Sequence, residues 1–201
     1  EEVPVGALDI GLYRDDVPAR GVAIQIRPSE IPTNIADRRV VLVDDVLYTA
    51  AAKGADRLVK LGGDFGVGVN NHALARVLAT VVKPLQPDLV LTGVQAHNDL
   101  DGSVGPLMAE YLGMPYVGYV AGVTTSEGRV TVRKEYPGGL IAETEVRLPA
   151  VLGVQAAEKP PRYVDVSKVR QVLQNFKLEA QPARELDPSG GPTVGRMFKP
   201  E

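Results

Sequence analysis

Residues 87–113 read PDLVLTGVQAHNDLDGSVGPLMAEYLG. Within them Leu89-Val90-Leu91-Thr92 follow Pro87-Asp88 as an uninterrupted apolar run, the pattern of a parallel strand buried on both faces. A polar loop rich in Asn, Asp, Gly and Ser comes next, and the stretch ends as an amphipathic helix. Strand, loop and helix in that order place unsatisfied backbone N–H groups at a helix amino end, where an anion such as a nucleotide phosphate can be held. Gly102 and Gly105 carry no Cβ to keep a ligand from the main chain there.

Working outward, residues 72–85 place apolar side chains at 74, 77, 78, 81, 82 and 85, which is helical spacing, and Pro84 and Pro87 bracket the end of that helix. On the other side, residues 116–123, 129–136, 140–148 and 150–155 read as strands, with turns at Ser126-Glu127-Gly128 and Pro137-Gly138-Gly139 that make hairpins. A short helix over 166–176 has Asp165 or Ser167 as its cap. Residues 39–43 are a β-branched run ending in two aspartates, typical of a central parallel strand. If that run pairs in parallel with residues 88–92, it covers a sheet edge that would otherwise be open. Residues 3–14 and 21–26 read as earlier strands, and residues 49–60 open as a helix and pass into a strand around 57–61. From Gln181 the hydrophobic pattern is lost, and Pro188-Ser189-Gly190-Gly191-Pro192 reads as a mobile tail. The fold class is α/β, a mostly parallel sheet with an antiparallel hairpin excursion.

Composition narrows the function. With 201 residues, 44% apolar, the chain suits one domain or one domain with an appendage. Aromatics at 5% and a formal charge of −3 argue against a nucleic-acid interface, which needs stacking rings and a basic footprint. Without Cys there are no disulfides, thiol nucleophiles or zinc–thiolate clusters. No apolar stretch approaches the roughly 20 residues of a membrane span, and Glu1-Glu2-Val3-Pro4 is no signal peptide, so the expected location is the cytoplasm. His72 and His97 are the only histidines and have no metal spacing or catalytic partner. No set of residues that could make and break bonds is evident.

Several words in order, LVLTGVQA (89–96), GSVGP (102–106), MAEYLGMPYV (108–117), RKEYPGGL (133–140) and LPAVLGVQAAEKPPRY (148–163), resemble the beta subunit of electron transfer flavoproteins. The likeness spans residues 51–180 and implies a Rossmann-like sheet of the adenine nucleotide alpha hydrolase type. It implies a heterodimer in which the beta subunit holds AMP, while FAD is held mainly by an alpha subunit near the interface. The AMP loop of that family falls on residues 98–109. Carried over, it puts Asn98 and Asp99 against the nucleotide and the backbone N–H groups of Gly102, Ser103, Val104 and Gly105 on its phosphate. The Ser103 hydroxyl and the positive helix end assist. Where the family has a denser acidic run, this chain has Asn98-Asp99-Leu100-Asp101. Acidic groups beside a phosphate make sense if they meet ribose hydroxyls; the alternative is a solvated loop without ligand. Arg162, Tyr163 and Val166 match the segment through which the family meets flavin-dependent dehydrogenases, with Val166 as the apolar anchor; an ordinary surface helix is the other reading. These properties describe an electron carrier rather than a catalyst.

Residues 1–50 belong to a different pattern. VVLVDDVLYT (40–49), with VPVGALDIGLYRDD (3–16) upstream, resembles the bifunctional pyrimidine operon regulator with uracil phosphoribosyltransferase activity. In that family this strand and loop bind phosphoribosyl pyrophosphate. Asp44 and Asp45 stand at the positions that meet the ribose hydroxyls, and Thr49 begins the Thr-Gly-x-Thr loop that wraps the phosphate. Here Ala50 and Ala52 replace the glycine and the second threonine, so φ > 0 and a hydrogen bond are both lost. Otherwise the two aspartates simply end a strand and cap a helix. The expected organisation is a phosphoribosyltransferase-like fragment over 1–50, a nucleotide-binding domain over 51–180 and a tail over 181–201. A gene fusion, an artificial chimera or a misassembled reading frame would each produce this pattern, and the alternatives in function are the phosphoribosyltransferase activity or a fusion that binds nothing tightly.

Overall fold

The computed structural model describes residues 39–43, 47–62, 69–95, 102–126, 128–155, 164–182 and 189. In chain order these form β1 (Val40–Leu42), α1 (Leu47–Ala52), β2 (Leu58–Gly62), α2 (Asn71–Val82), β3 (Leu89–Gly93), α3 (Val104–Leu112), β4 (Tyr116–Ser126), β5 (Arg129–Tyr136), β6 (Leu140–Arg147), β7 (Ala150–Val154), α4 (Val166–Asn175) and β8 (Leu178–Pro182). The strands expected over 3–14 and 21–26 lie outside the described residues.

Among the described residues one sheet has six strands in the order β1-β3-β7-β4-β5-β6. Its first four run parallel, and β4-β5-β6 are antiparallel neighbours, so the mostly parallel sheet with a hairpin excursion is present. Gly128, Gly138 and Gly139 at the two hairpin turns all have positive φ, as the turn chemistry requires. The β-branched run from the first fifty residues joins the sheet as β1, with Val40 opposite Leu89 and Leu42 opposite Leu91. β1 is thus the edge strand of this sheet and flanks β3.

Both faces of β3 and β7 are buried. On one face Val90 and Val151 meet α2 and α3 through Ala75, Ala79, Val82, Met108 and Ala109. On the other, Leu89, Ala150 and Leu152 share a cluster with Val123, Val130, Val132 and Val146 of the hairpin strands. For strands of one sheet to cover one another, β4 must bend. Its register slips on both sides of Val120, and Tyr119 takes a left-handed φ of 59°. A bulge re-aims a strand in this way.

Helix boundaries follow local chemistry. Asn70 caps α2, its Oδ1 accepting from Ala73 N at 2.9 Å. Gly113, at φ 69°, ends α3, where Gly113 N donates to Glu110 O and Met114 N to Ala109 O, the paired bonds of a Schellman motif.

A separate two-stranded sheet pairs β2 with β8 in parallel, Leu58 opposite Leu178 and Gly62 opposite Pro182. This corrects the tail expected from Gln181, since Gln181 and Pro182 complete a strand. That strand is largely exposed and is held by its ladder and by the Arg57–Glu179 ion pair at 2.8 Å, neither of which leaves a hydrophobic pattern. Residues 183–188 and 190–201 lie outside the described residues. No helix among the described residues is long and apolar enough to cross a membrane.

Candidate functional site

Parallel strands deliver their loops to one edge, and in such sheets ligands bind beyond the carboxyl ends. Here β3 ends at Thr92-Gly93, β7 ends at Gly153-Val154, and α3 begins above them. Gly102, Ser103, Val104 and Gly105 come together at the α3 amino end, as the sequence predicts. Ser103 occupies the cap position with φ −90° and ψ −5°, yet its side chain makes no capping hydrogen bond. Pro106, third in the helix, has no N–H at all. Within the helix, the first-turn N–H groups of Val104 and Gly105 have no carbonyl partner.

The hydroxyl of Ser103 is instead turned toward α2. It accepts from Asn71 Nδ2 at 3.2 Å, a bond between the first residue of α2 and the cap of α3. Two helix amino ends therefore meet at the carboxyl edge of the sheet. The α2 end is capped by its own Asn70 side chain, whereas α3 has no such internal cap.

Both glycines have a use other than the one read from sequence. A Cβ on Gly102, whose φ is +66°, would run into the Val94 carbonyl oxygen. A Cβ on Gly105 would lie 2.7 Å from Thr92 Oγ1 and 3.0 Å from the Tyr116 ring. The missing side chains make room for the protein itself, so the turn and the helix can seat on the strand ends. The reading that they admit a ligand on that side is corrected; the amides are a separate question.

Tyr116 explains three glycines at once. It starts β4 and leans along the strand, so that its hydroxyl end fills the space over Gly105, Gly118 and Gly153. Burial raises the pKa of its phenol, and nearby Tyr119 adds to the shift. Beside it Thr92, 5% exposed, carries a buried Oγ1 that makes no hydrogen bond among the described residues. Such an orphan hydroxyl costs about 1–3 kcal/mol unless something satisfies it.

Asn98 and Asp99 lie outside the described residues, as do Asp44, Asp45, Arg162 and Tyr163. Thr49 is the third residue of α1. Val166 opens α4 and is 39% exposed, while Val169 is the buried residue of that helix. Sequence reasoning missed Asn71, Thr92 and Tyr116. The Asn70-Asn71 pair before an apolar helix was a readable capping signal, but a bond from Asn71 to a residue 32 positions away was not.

The α4 cap titrates. Asp165 Oδ1 accepts from Ser167 N at 2.7 Å. Side-chain, then backbone, hydrogen bonding to Ser167 holds the Asp165 carboxyl below the usual aspartate range. A folded-state pKa lowered in this way gives a stabilising contribution that is present above the unfolded chain's pKa and lost as pH falls through the folded value. The Ser167 amide proton is accordingly expected to keep its chemical shift down through the ordinary aspartate range and to move only below it. Asp165→Asn should flatten that titration in an NMR pH series; a midpoint at or above the ordinary value would contradict it.

A family model described as electron transfer flavoprotein domain matches residues 39–180. The electron transfer flavoprotein subunit beta of Methylophilus methylotrophus is 35% identical over 131 residues, 64% of this chain and 50% of that protein. Its counterpart in Syntrophomonas wolfei is 37% identical over 119 residues, 59% of this chain and 46% of that protein. The chain thus spans about half the length of the curated relatives it matches. The bifunctional protein PyrR of Thermus aquaticus is 50% identical over 64 residues, 31% of this chain and 35% of that protein.

Proposed function

The chain belongs to the electron transfer flavoprotein domain family, and on that premise we propose that it is a nucleotide-holding, beta-type half of an electron carrier. AMP is its own ligand. The backbone N–H groups of Gly102, Ser103, Val104 and Gly105 receive the phosphate, the Ser103 hydroxyl donates to it, and the helix end supplies partial positive charge. Asn98 and Asp99 meet the sugar. Bound this way, AMP ties the β3 loop to α3 and stiffens the edge where a partner sits.

FAD is shared with an alpha subunit that supplies most of its contacts, and when bound it carries the electrons in its flavin ring. The chain's part is to position and enclose. Arg162, Tyr163 and Val166 form the face offered to flavin-dependent dehydrogenases. In this reading residues 1–50 are a phosphoribosyltransferase-like fragment whose last strand, β1, flanks the nucleotide-binding body, and the chain works in the cytoplasm.

The observation that carries the proposal is the α3 amino end, with a cap residue that does not cap and a Pro106 without N–H. Native mass spectrometry of the 201-residue chain with AMP and an alpha subunit tests it. The expected species are a one-to-one AMP adduct and a yellow heterodimer. A chain that takes up neither AMP nor partner would leave a fused sheet without this function. Val166→Asp is expected to slow electron uptake from a dehydrogenase about tenfold, the loss of one apolar anchor, with the AMP adduct unchanged.

A further inference from the structure

We propose that α4 meets its partner dehydrogenase through a stripe of three side chains, Val166, Arg170 and Leu173, and that the surface it meets has two apolar dimples with a carboxylate between them. The inference rests on the reading of Val166 as part of the face offered to the dehydrogenase; it adds Leu173 as a second anchor and Arg170 as the charged contact. Positions four and then three apart stand one above another on a helix, so the three side chains share one line along α4 with the cation in the middle. Val166 is 39% exposed and Leu173 is 49% exposed. A lone exposed aliphatic carries no message. Two in line are different on a helix that lies against α1 and buries only Val169, because they form a stripe the fold does not use.

Arg170 says what the stripe fits. It is exposed and makes no hydrogen bond or ion pair among the described residues. A guanidinium set between two apolar side chains presents a planar fork to a single carboxylate, and Arg is a residue type enriched at the centres of protein contacts. The helix holds Lys168 and Arg170 and no carboxylate, so it is locally positive in a chain whose formal charge is −3. A second copy of this chain is a poorer occupant, since a twofold contact centred on the stripe would set Arg170 against its own counterpart. A lipid surface asks for a broad apolar face beside several cations, whereas the stripe has two aliphatic groups and one guanidinium. An acidic, apolar pocket on a partner protein answers all three side chains.

The test is steady-state reduction of the chain, assembled with its alpha subunit, by the dehydrogenase used for Val166→Asp, with KM and kcat read separately at low and high salt. Leu173→Ala and Arg170→Gln are each expected to raise KM about fivefold with kcat unchanged, the loss of one contact near the centre of an interface. The salt dependence of KM should largely vanish in Arg170→Gln and persist in Leu173→Ala. Arg170→Lys should recover the salt dependence and only part of the KM, because it restores the charge without the fork. Both side chains are exposed, so the urea midpoint should hold in every variant, which separates lost docking from lost folding. If KM ignores Leu173 and Arg170 while Val166→Asp still slows electron uptake, the stripe is wrong and the Val166 face stands. If Val166→Asp is also without effect, the face itself is wrong. Unchanged KM together with loss of a self-associated species in sedimentation, or loss of binding to phosphatidylserine vesicles, would give the stripe to a second copy or a lipid surface and overturn the proposal.

Discussion

Gly102→Ala is expected to reduce AMP affinity by more than tenfold while moving the thermal midpoint by only a few degrees. Two constraints meet at this residue. Its φ of +66° is left-handed, which for an L side chain costs about 1–2 kcal/mol. The added Cβ would also overlap the carbonyl oxygen of Val94, and a backbone atom just beyond the end of β3 cannot rotate aside. The turn has to re-route, and Gly102 and Ser103 move with it. Since tenfold in affinity is about 1.4 kcal/mol, displacing two of the four amides, together with the Ser103 hydroxyl, exceeds it. The global fold suffers less, because the loop lies beyond both buried clusters. Calorimetric titration with AMP, with hydrogen exchange read over residues 89–112, checks both parts. Unchanged affinity would mean that the turn does not touch the nucleotide. Gly105→Ala makes a useful contrast. Its new methyl meets side-chain ends, Thr92 Oγ1 and Tyr116, which can give way, so the expected damage is smaller and spreads into packing.

How far the sequence foretold this depends on where each signal resides. The strands β3 and β7 were legible because burial on both faces leaves a continuous apolar run, LVLTG and AVLGV. The hairpins were legible because their turns need Gly at positive φ, and α2 because its apolar spacing is written locally. What escaped depends on distant partners. The strand β8, LEAQP, has no alternation, since its order comes from β2 more than 100 residues earlier. A left-handed Tyr119 has no local signature, because the bulge answers the need of β4 to fold its hairpin over the sheet. Gly105 was readable as special, but not for what: the same missing Cβ serves a ligand or a neighbouring Tyr116 equally well on paper. The four residues of the α3 amino end were named from sequence because strand, loop and helix fix them within twenty positions. Their partner Asn71 was not, since only tertiary packing sets α2 beside α3.

The largest effect on stability is expected from Met108→Ala. Met108 is fully buried, and no other buried side chain in its cluster is larger. It lies on the helix that presents the candidate site. Removing it forfeits about 2–5 kcal/mol, the range for Met or Leu truncated to Ala in a core. The upper half of that range is expected because Ala75, Ala79 and Ala109 surround the gap. Alanines have no rotamers with which to swing inward, so the cavity would persist. At about 2–4 °C per kcal/mol for a chain of this length, the melting temperature should fall by roughly 7–20 °C. Met108→Leu, which nearly conserves volume, should cost under about 1.5 kcal/mol. Urea unfolding reads the difference as a lower midpoint at unchanged slope. If both substitutions cost equally and heavily, the exact shape of Met108 holds the helix. If only Ala is costly, buried apolar volume at this position suffices. The α3 amino end then keeps its place over Thr92 because Met108, one turn further along, pins the helix to Val90 and Val151.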